Sequence, residues 1–415
     1  MTTSKITASH PSGEVTGAPV RLHSLDAFRG FVILTMIFVN YLAGVSQIPA
    51  WAKHMPGTAD GFTFVDLVFP GFLFMVGISI PLAMANRRRR GDSLLGLLGH
   101  IFIRSVSLLF LGVLLVNEGA YSEEAAGMSR SAWYLWALLA VVVIWSPRPK
   151  GASGTRARVF LILRVTAVLM LGYLLIRFRG KTGDETVWLR HSWWGILGLI
   201  GWAYLNCSLV YLVTKGSSTA LMGALWFMLA LYIGSRHGRL DWLEPVNRWV
   251  GVGSVLGSTS ANVLAGVLVG NLFVGERAAL TAGYRVRFLA VFATGLYLSG
   301  MLLRPLHGIV KNQATESYTL VAAGICCGVF LLFYWVIDIK QRRGWALGFT
   351  PAGQNPLLAY LLPDIVASLF AALGLEQVLW PYSSGGPGAV NALVLTLLIL
   401  LVNAVLTKAG LRLKM

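Results

Sequence analysis

The chain has 415 residues, 56% of them hydrophobic and only 12% charged, about half the charged share of an ordinary soluble domain. That excludes a soluble globular protein and points to a polytopic membrane protein. A formal charge of +17 would suggest nucleic acid in a soluble chain, but here the cations gather between apolar runs, where they report orientation, and no nucleic-acid partner is expected.

Residues 1–20 are polar, rich in Ser, Thr, Gly and Pro. They lack the apolar stretch of a signal peptide and predict a disordered cytoplasmic tail. From 21 to 415 the chain reads as one transmembrane domain. Apolar runs long enough to cross a hydrocarbon core of about 30 Å predict an all-α polytopic bundle of eleven to twelve helices, near 25–44, 62–86, 97–116, 131–146, 158–177, 192–213, 217–235, 251–274, 284–303, 318–338, 354–373 and 388–408. The larger share of Lys and Arg falls in segments such as Arg87–Arg90, Arg148–Arg158 and Lys408–Lys414, so both termini are expected in the cytoplasm. Trp51, Trp133, Trp188, Trp193, Trp194 and Trp380 lie near span ends, as interfacial anchors do.

The first span opens with "RLHSLDAFRG", where Asp26 and Arg29 stand three apart on one helix face and form either a local ion pair or part of a ligand site. Arg29 to Asn40 is eleven residues, about 16 Å of helix rise. That distance suits a ligand spanning the membrane, with a phosphate-bearing end near Arg29 and a reacting end near Asn40. Beyond Asn40, His54 falls in the first external loop and Asp66 at the outer start of the second span, so the three share one depth. Polar groups there should face the bundle interior and find partners. An imidazole whose tautomer is fixed by a carboxylate is the arrangement of a general base, and an amide beside it can hold a carbonyl or an oxyanion.

Six other histidines compete. His10, His23, His100 and His237 read as solvated or interfacial; His191 and His307 are also external, but neither is followed so closely by an intramembrane acid. No HExxH or CxxC spacing occurs, and no metal is expected. Cys207, Cys326 and Cys327 all fall within spans, so no disulfide is expected. In the eighth span Gly253 and Gly257, then Gly266 and Gly270, repeat at four-residue spacing. The smooth face they create either packs against a helix or walls a ligand slot.

Two blocks carry a resemblance. The first is "RLHSLDAFRGFVILTMIFVNY", the loop histidine and "VDLVFPGFLFMVGISI"; the second is "VKNQATESYTL", "YWVIDIK" and "PAGQNPLLAYLLP". Together they resemble the transmembrane acetyltransferase family of heparan-alpha-glucosaminide N-acetyltransferase. The resemblance implies an integral-membrane acyltransferase that uses cytoplasmic acetyl-CoA to acetylate an amino sugar or glycan across the bilayer. It implies His54 as catalytic residue with Asn40 in support and Asp66 as motif acid, Lys311 and Asn312 as a pair on the acceptor side, and Asn355 opening a late helix on the donor side. Arg29 and Arg104 are expected to meet the donor's phosphates. A homodimer in a bacterial inner membrane, with a periplasmic acceptor, is the corresponding setting. The family's tryptophan shortly after the histidine is replaced within "HMPGTADGF", and the interval from Asn40 to His54 is longer.

The competing reading is a secondary transporter or flippase with Asp66, Asp338 and Asp364 as ion relays, since intramembrane carboxylates are functional by default. No matching pair of Gly/Pro-broken helices in two halves supports it. A third reading is a membrane scaffold whose polar residues only tie helices together.

Overall fold

In the computed structural model, which describes residues 22–149, 151 and 153–414, every predicted span is a helix. They are α1 His23–Ala43, α2 Phe64–Arg89, α3 Leu94–Val116, α4 Arg130–Trp145, α5 Gly154–Arg177, α6 Gly195–Val213, α7 Ser218–Arg236, α8 Val252–Phe273, α9 Ala282–His307, α10 Glu316–Ile339, α11 Pro356–Ala372 and α12 Gly385–Lys408. Ten are long and apolar enough to cross a membrane; α4 and α11 are shorter, at 16 and 17 residues, and pack against each other. The protein is thus an all-α polytopic membrane protein. The tail expected over 1–20 lies outside the described residues.

The innermost helix is α8, 89% buried along its apolar window. Its glycines explain how it gets there. A Cβ on Gly266 would sit 2.0 Å from the Phe74 carbonyl oxygen, one on Gly77 2.0 Å from that of Val263, and one on Gly270 2.3 Å from that of Ile78. Backbone therefore lies directly on backbone between α2 and α8, as small residues allow. Against α7, Gly257 likewise lies on the Met228 carbonyl, and Gly253 lies on the Ser235 side chain. The smooth face is consumed by helix packing and is not the wall of a slot. The peripheral helices behave oppositely: only 17% of the α5 window is buried, and Leu161, Ile162, Leu163, Val168 and Leu169 face outward. In water such a surface would drive aggregation; on a membrane protein it is the lipid face.

Two features place the site. A Thr63–Asp66 capping box starts α2 with a short tighter turn over Phe64–Leu67. Across from it, α6 begins after "HSWWG", a turn in which Ser192, Trp194 and Gly195 all have positive φ. It turns the chain abruptly into α6 and lays Trp193 and Trp194 on the wall of a cavity, where Trp249, stacked on His191, joins them.

Candidate active site

Asp66 is completely buried and fully used. Its Oδ2 accepts from the backbone N–H of Thr63 at 2.9 Å and of Met55 at 3.1 Å; its Oδ1 lies 2.7 Å from His54 Nδ1 and 3.2 Å from Lys311 Nζ. The Tyr318 hydroxyl, from α10, donates to the Asp66 carbonyl at 2.5 Å. The capping box is therefore the device that holds the carboxylate in place, and the imidazole docks on it.

The hydrogen-bond inventory assigns the proton. An ionised carboxylate only accepts, so the 2.7 Å contact requires His54 Nδ1 to carry the hydrogen. Lys311 Nζ is 2.8 Å from the same Nδ1, but an ammonium cannot donate to a protonated nitrogen, and it pairs instead with Asp66 Oδ1. In the neutral ring the lone pair is then on Nε2, which has no protein partner among the described residues. With 47% of the side chain exposed, that nitrogen is free to act on a ligand.

The loop bearing His54 is clamped to the loop after α9. Asp60 Oδ1 accepts from Ile309 N at 2.7 Å, and both Asp60 oxygens accept from Arg304 Nε, at 3.1 and 3.0 Å. The Ile309 N–H and the Arg304 guanidinium hold the Asp60 carboxyl below the usual carboxylate range. Gly61 N donates to Ile309 O at 2.9 Å. Gly57 is pressed on Asn312, whose Nδ2 would be 2.3 Å from a Cβ at that position. Asp60 was not singled out from the sequence; "ADG" announces a turn, but a partner some 250 residues away leaves no local signal.

A cavity of about 730 Å³ lies between α1, α2, α6 and α8. His54, Asn40, Lys311 and Asn312 all line it, with Met36, Phe69, Phe72, Val255 and Thr259 deeper and the three tryptophans opposite. Its size is that of a small-molecule site, and its few polar groups converge on an apolar pocket. The structure thus brings His54, Asp66, Lys311, Asn312 and Asn40 to one place. Asn40 makes no hydrogen bond to His54; its amide is presented to the cavity.

Arg29 and Arg104 lie outside the His54 cavity, with their own partners. Arg29 bonds to Ser79 Oγ and pairs with Asp26 at 3.6 Å. Arg104 lies 4.7 Å over the Tyr204 ring, and its Nε is buried without a protein partner. The His54 cavity does not reach them: it ends at Met36 and Phe72, with Arg29 about 10 Å of helix rise beyond Met36.

Asn355 departs from expectation. It is 1% exposed, its Nδ2 donates to Thr407 Oγ1 at 3.0 Å and Leu411 O at 2.9 Å, and its Oδ1 accepts from Leu413 N at 3.1 Å. Its amide ties the start of α11 to the C-terminal tail, with both Nδ2 hydrogens and one Oδ1 lone pair committed there. Asp338 accepts from Ser24 N at 3.2 Å, capping α1 rather than standing in a conduction path. Asp364 accepts from Tyr134 OH at 2.9 Å. A second His–carboxylate pair also went unread: His307 Nδ1 lies 2.8 Å from Glu316 Oε1, joining the end of α9 to the start of α10. Among the described residues no group of three or more His, Cys, Asp or Glu is poised to hold a metal.

Comparison with known proteins adds four similarities. Residues 21–255 match the family described as a domain of unknown function, DUF5009. Heparan-alpha-glucosaminide N-acetyltransferase of Homo sapiens is 27% identical over 380 residues, covering 86% of this chain and 54% of its own, and that of Mus musculus is 28% identical over 381 residues, covering 84% and 54%. A 108-residue stretch is 31% identical to NADH-ubiquinone oxidoreductase chain 2 of Patiria pectinifera, covering 25% of this chain and 28% of that one. The chain spans about half the length of the N-acetyltransferases it matches.

Proposed function

Because the chain belongs to the DUF5009 family and is related over most of its length to proteins named heparan-alpha-glucosaminide N-acetyltransferase, we propose that it is an integral-membrane acyltransferase moving an acetyl group from cytoplasmic acetyl-CoA to an amino sugar or glycan on the far side of the membrane. The observation that carries this reading is the Asp66–His54 pair on the wall of an apolar cavity, with His54 Nε2 free and Lys311 and Asn40 beside it. In a bacterial cell the setting is the inner membrane, with both termini cytoplasmic and the acceptor periplasmic.

The chemistry follows from the proton assignment. His54 Nε2 takes the proton of the acceptor nitrogen as that nitrogen attacks the thioester carbonyl; the new C–N bond forms, the C–S bond breaks, and the thiolate leaves with the proton His54 collected. Asp66 holds the ring in the Nδ1–H tautomer and stabilises the imidazolium that forms. Lys311 and the Asn40 amide are the donors available to the developing oxyanion. Towards the cytoplasmic end, Arg29 stands beside Asp26 and Ser79, and the unpartnered Arg104 Nε suits a phosphate oxygen. The reading requires α1 and α2 to part between Arg29 and Met36, since the cavity stops at Met36 and Phe72.

The test is direct. Purified protein given labelled acetyl-CoA and glucosamine should yield acetylated sugar and free CoA, and His54→Ala should slow transfer by about a hundredfold or more while leaving CoA bound. A protein that retains no CoA and transfers no label is not this enzyme; uptake of solute into proteoliposomes without acetyl-CoA would favour the transporter.

A further inference from the structure

A second cavity, of about 720 Å³, opens on the other side of the α6 N-terminus, and Trp193 and Ile196 line both. The two cavities differ in sign. Arg248 and Lys311 stand on the walls of the His54 cavity, whereas the second is lined by Glu118, Glu123, Asp364 and Glu376 against a single Arg130. That concentration of acid runs against the chain as a whole, which has twice as many Lys plus Arg as Asp plus Glu, 34 to 17. Arg130 is already taken: its side chain pairs with Glu118, and its backbone N–H donates to Glu123 Oε1 at 2.7 Å. Asp364 and Glu376 have no cation among the described residues.

Asp364 makes the case independent of mere surface acidity. It lies mid-helix in α11, where a carboxylate must find a partner. Tyr134 satisfies Oδ2 alone, and no protein donor among the described residues reaches Oδ1; the residue faces the cavity. The remaining walls include Trp193, Trp380, Tyr134 and Tyr360, amphipathic rings that cover a flat polar ligand with one apolar face. Carboxylates without cations, between aromatic faces, fit a ring that carries an ammonium group.

We propose that this cavity is a subsite for a positively charged sugar ring, held by Asp364 and Glu376 and flanked by Trp193 and Trp380. The inference rests on the acyl-transfer reading for taking the charged ring to be a sugar and the sugar to be an acceptor. A ring held here places the next unit of an amino-sugar chain across Trp193, in the His54 cavity. The opposite sign of the two cavities then sorts the reactants, drawing the ammonium to the acidic side and leaving the oxyanion of transfer to Lys311.

The experiment is equilibrium binding to the purified full chain, with two probes: a tetramer of glucosamine, whose amines are charged, and the same tetramer fully N-acetylated, which is neutral. The charged tetramer should bind about tenfold more tightly, the worth of one charge-assisted hydrogen bond. Asp364→Asn and Glu376→Gln should each weaken it severalfold towards the neutral probe, and Trp380→Ala should weaken both. Glu376 lies in an exposed short helix, Glu376–Leu379, so Glu376→Gln gives a readable answer even if Asp364→Asn misfolds. Equal binding of the two probes, or a charged tetramer bound as tightly by Glu376→Gln as by the wild type, overturns the proposal. Retention of CoA by the same preparation reports separately on acyl transfer: CoA bound without preference for the charged probe sinks the subsite alone, and preference without CoA leaves the subsite and sinks the enzyme.

Discussion

Asp60 and Arg304 join the two loops of the candidate active site: the Arg304 Nε–H is shared between both Asp60 oxygens, at 3.1 and 3.0 Å, while Ile309 N donates to one of them at 2.7 Å. Through this clamp the loop that carries His54 is registered against the loop that carries Lys311. Asp60→Ala should therefore lower kcat by about tenfold to a hundredfold, the cost of misplacing reacting groups, with CoA retention unchanged. Because the Asp60 carboxyl is held below its ordinary range, the clamp is fully present above that range and is lost as pH falls through the lowered value. Proteolysis of the His54 loop should accordingly rise in acid below about pH 4 in the wild type, and be high at every pH in Asp60→Ala. Identical cleavage of the two proteins at neutral pH would remove Asp60 from its positioning role.

His54, Asp66 and Lys311 yield a graded series. His54→Ala removes the proposed base and should cost about a hundredfold to ten-thousandfold in transfer. Asp66→Asn should cost nearly as much for a different reason: the amide can turn a donor towards Nδ1 and favour the tautomer with its hydrogen on Nε2. Lys311→Met should cost on the order of a hundredfold as an oxyanion donor is lost. Asp66→Ala differs from Asp66→Asn in also stranding the buried N–H groups of Thr63 and Met55, at about 1–3 kcal/mol each, so only the alanine variant should show a markedly lower melting temperature. Steady-state transfer and thermal unfolding in one detergent separate the two; equal melting of both variants would contradict the capping-box role.

The α2–α8 contact gives a stability prediction with an internal control. A side chain at Gly77 or Gly266 meets carbonyl oxygen at 2.0 Å, and backbone cannot move aside as a flexible side chain would. Gly77→Ala and Gly266→Ala should each destabilise by about 1–3 kcal/mol or more. Gly99, Gly283 and Gly295 have nothing within 4 Å of an added Cβ, so alanine there should be neutral or gain up to about 1 kcal/mol of helix propensity. Indistinguishable melting of the two sets would mean that α8 is not seated against α2 as described.

These glycines also show what a sequence can reveal. Their four-residue spacing announced a smooth helix face, but whether a helix or a ligand lay on it depended on residues far along the chain, Phe74 and Ile78 for Gly266 and Gly270. The spans were legible because apolar length alone satisfies the bilayer, and their ends agree with the helices to within about four residues. His54 and Asp66 were legible as a pair because only 12 residues and one capping box separate them. Lys311 entered through resemblance alone, and the His307–Glu316 pair escaped because the predicted span began at 318, leaving outside it an acid that in fact starts the helix.

Arg104 and Asn355 were expected to serve the same donor, and the structure separates them. Arg104 keeps a buried Nε without a protein partner, whereas every hydrogen-bonding atom of the Asn355 side chain that the fold can reach is used by Thr407, Leu411 and Leu413. Arg104→Gln should therefore weaken retention of CoA by about tenfold or more, the loss of one charge-assisted contact, with little change in melting. Asn355→Ala should do the reverse, because it strands the Leu413 N–H and the Leu411 carbonyl and frees the C-terminal tail from α11. Its expected signature is a loss of about 1–3 kcal/mol and faster cleavage after Lys408, with CoA affinity intact in the protein that remains folded. A CoA titration and a limited digest on each variant decide the matter. If Asn355→Ala loses CoA at full stability, the amide belongs to the donor site after all, and the tail contacts seen here give way when the donor binds.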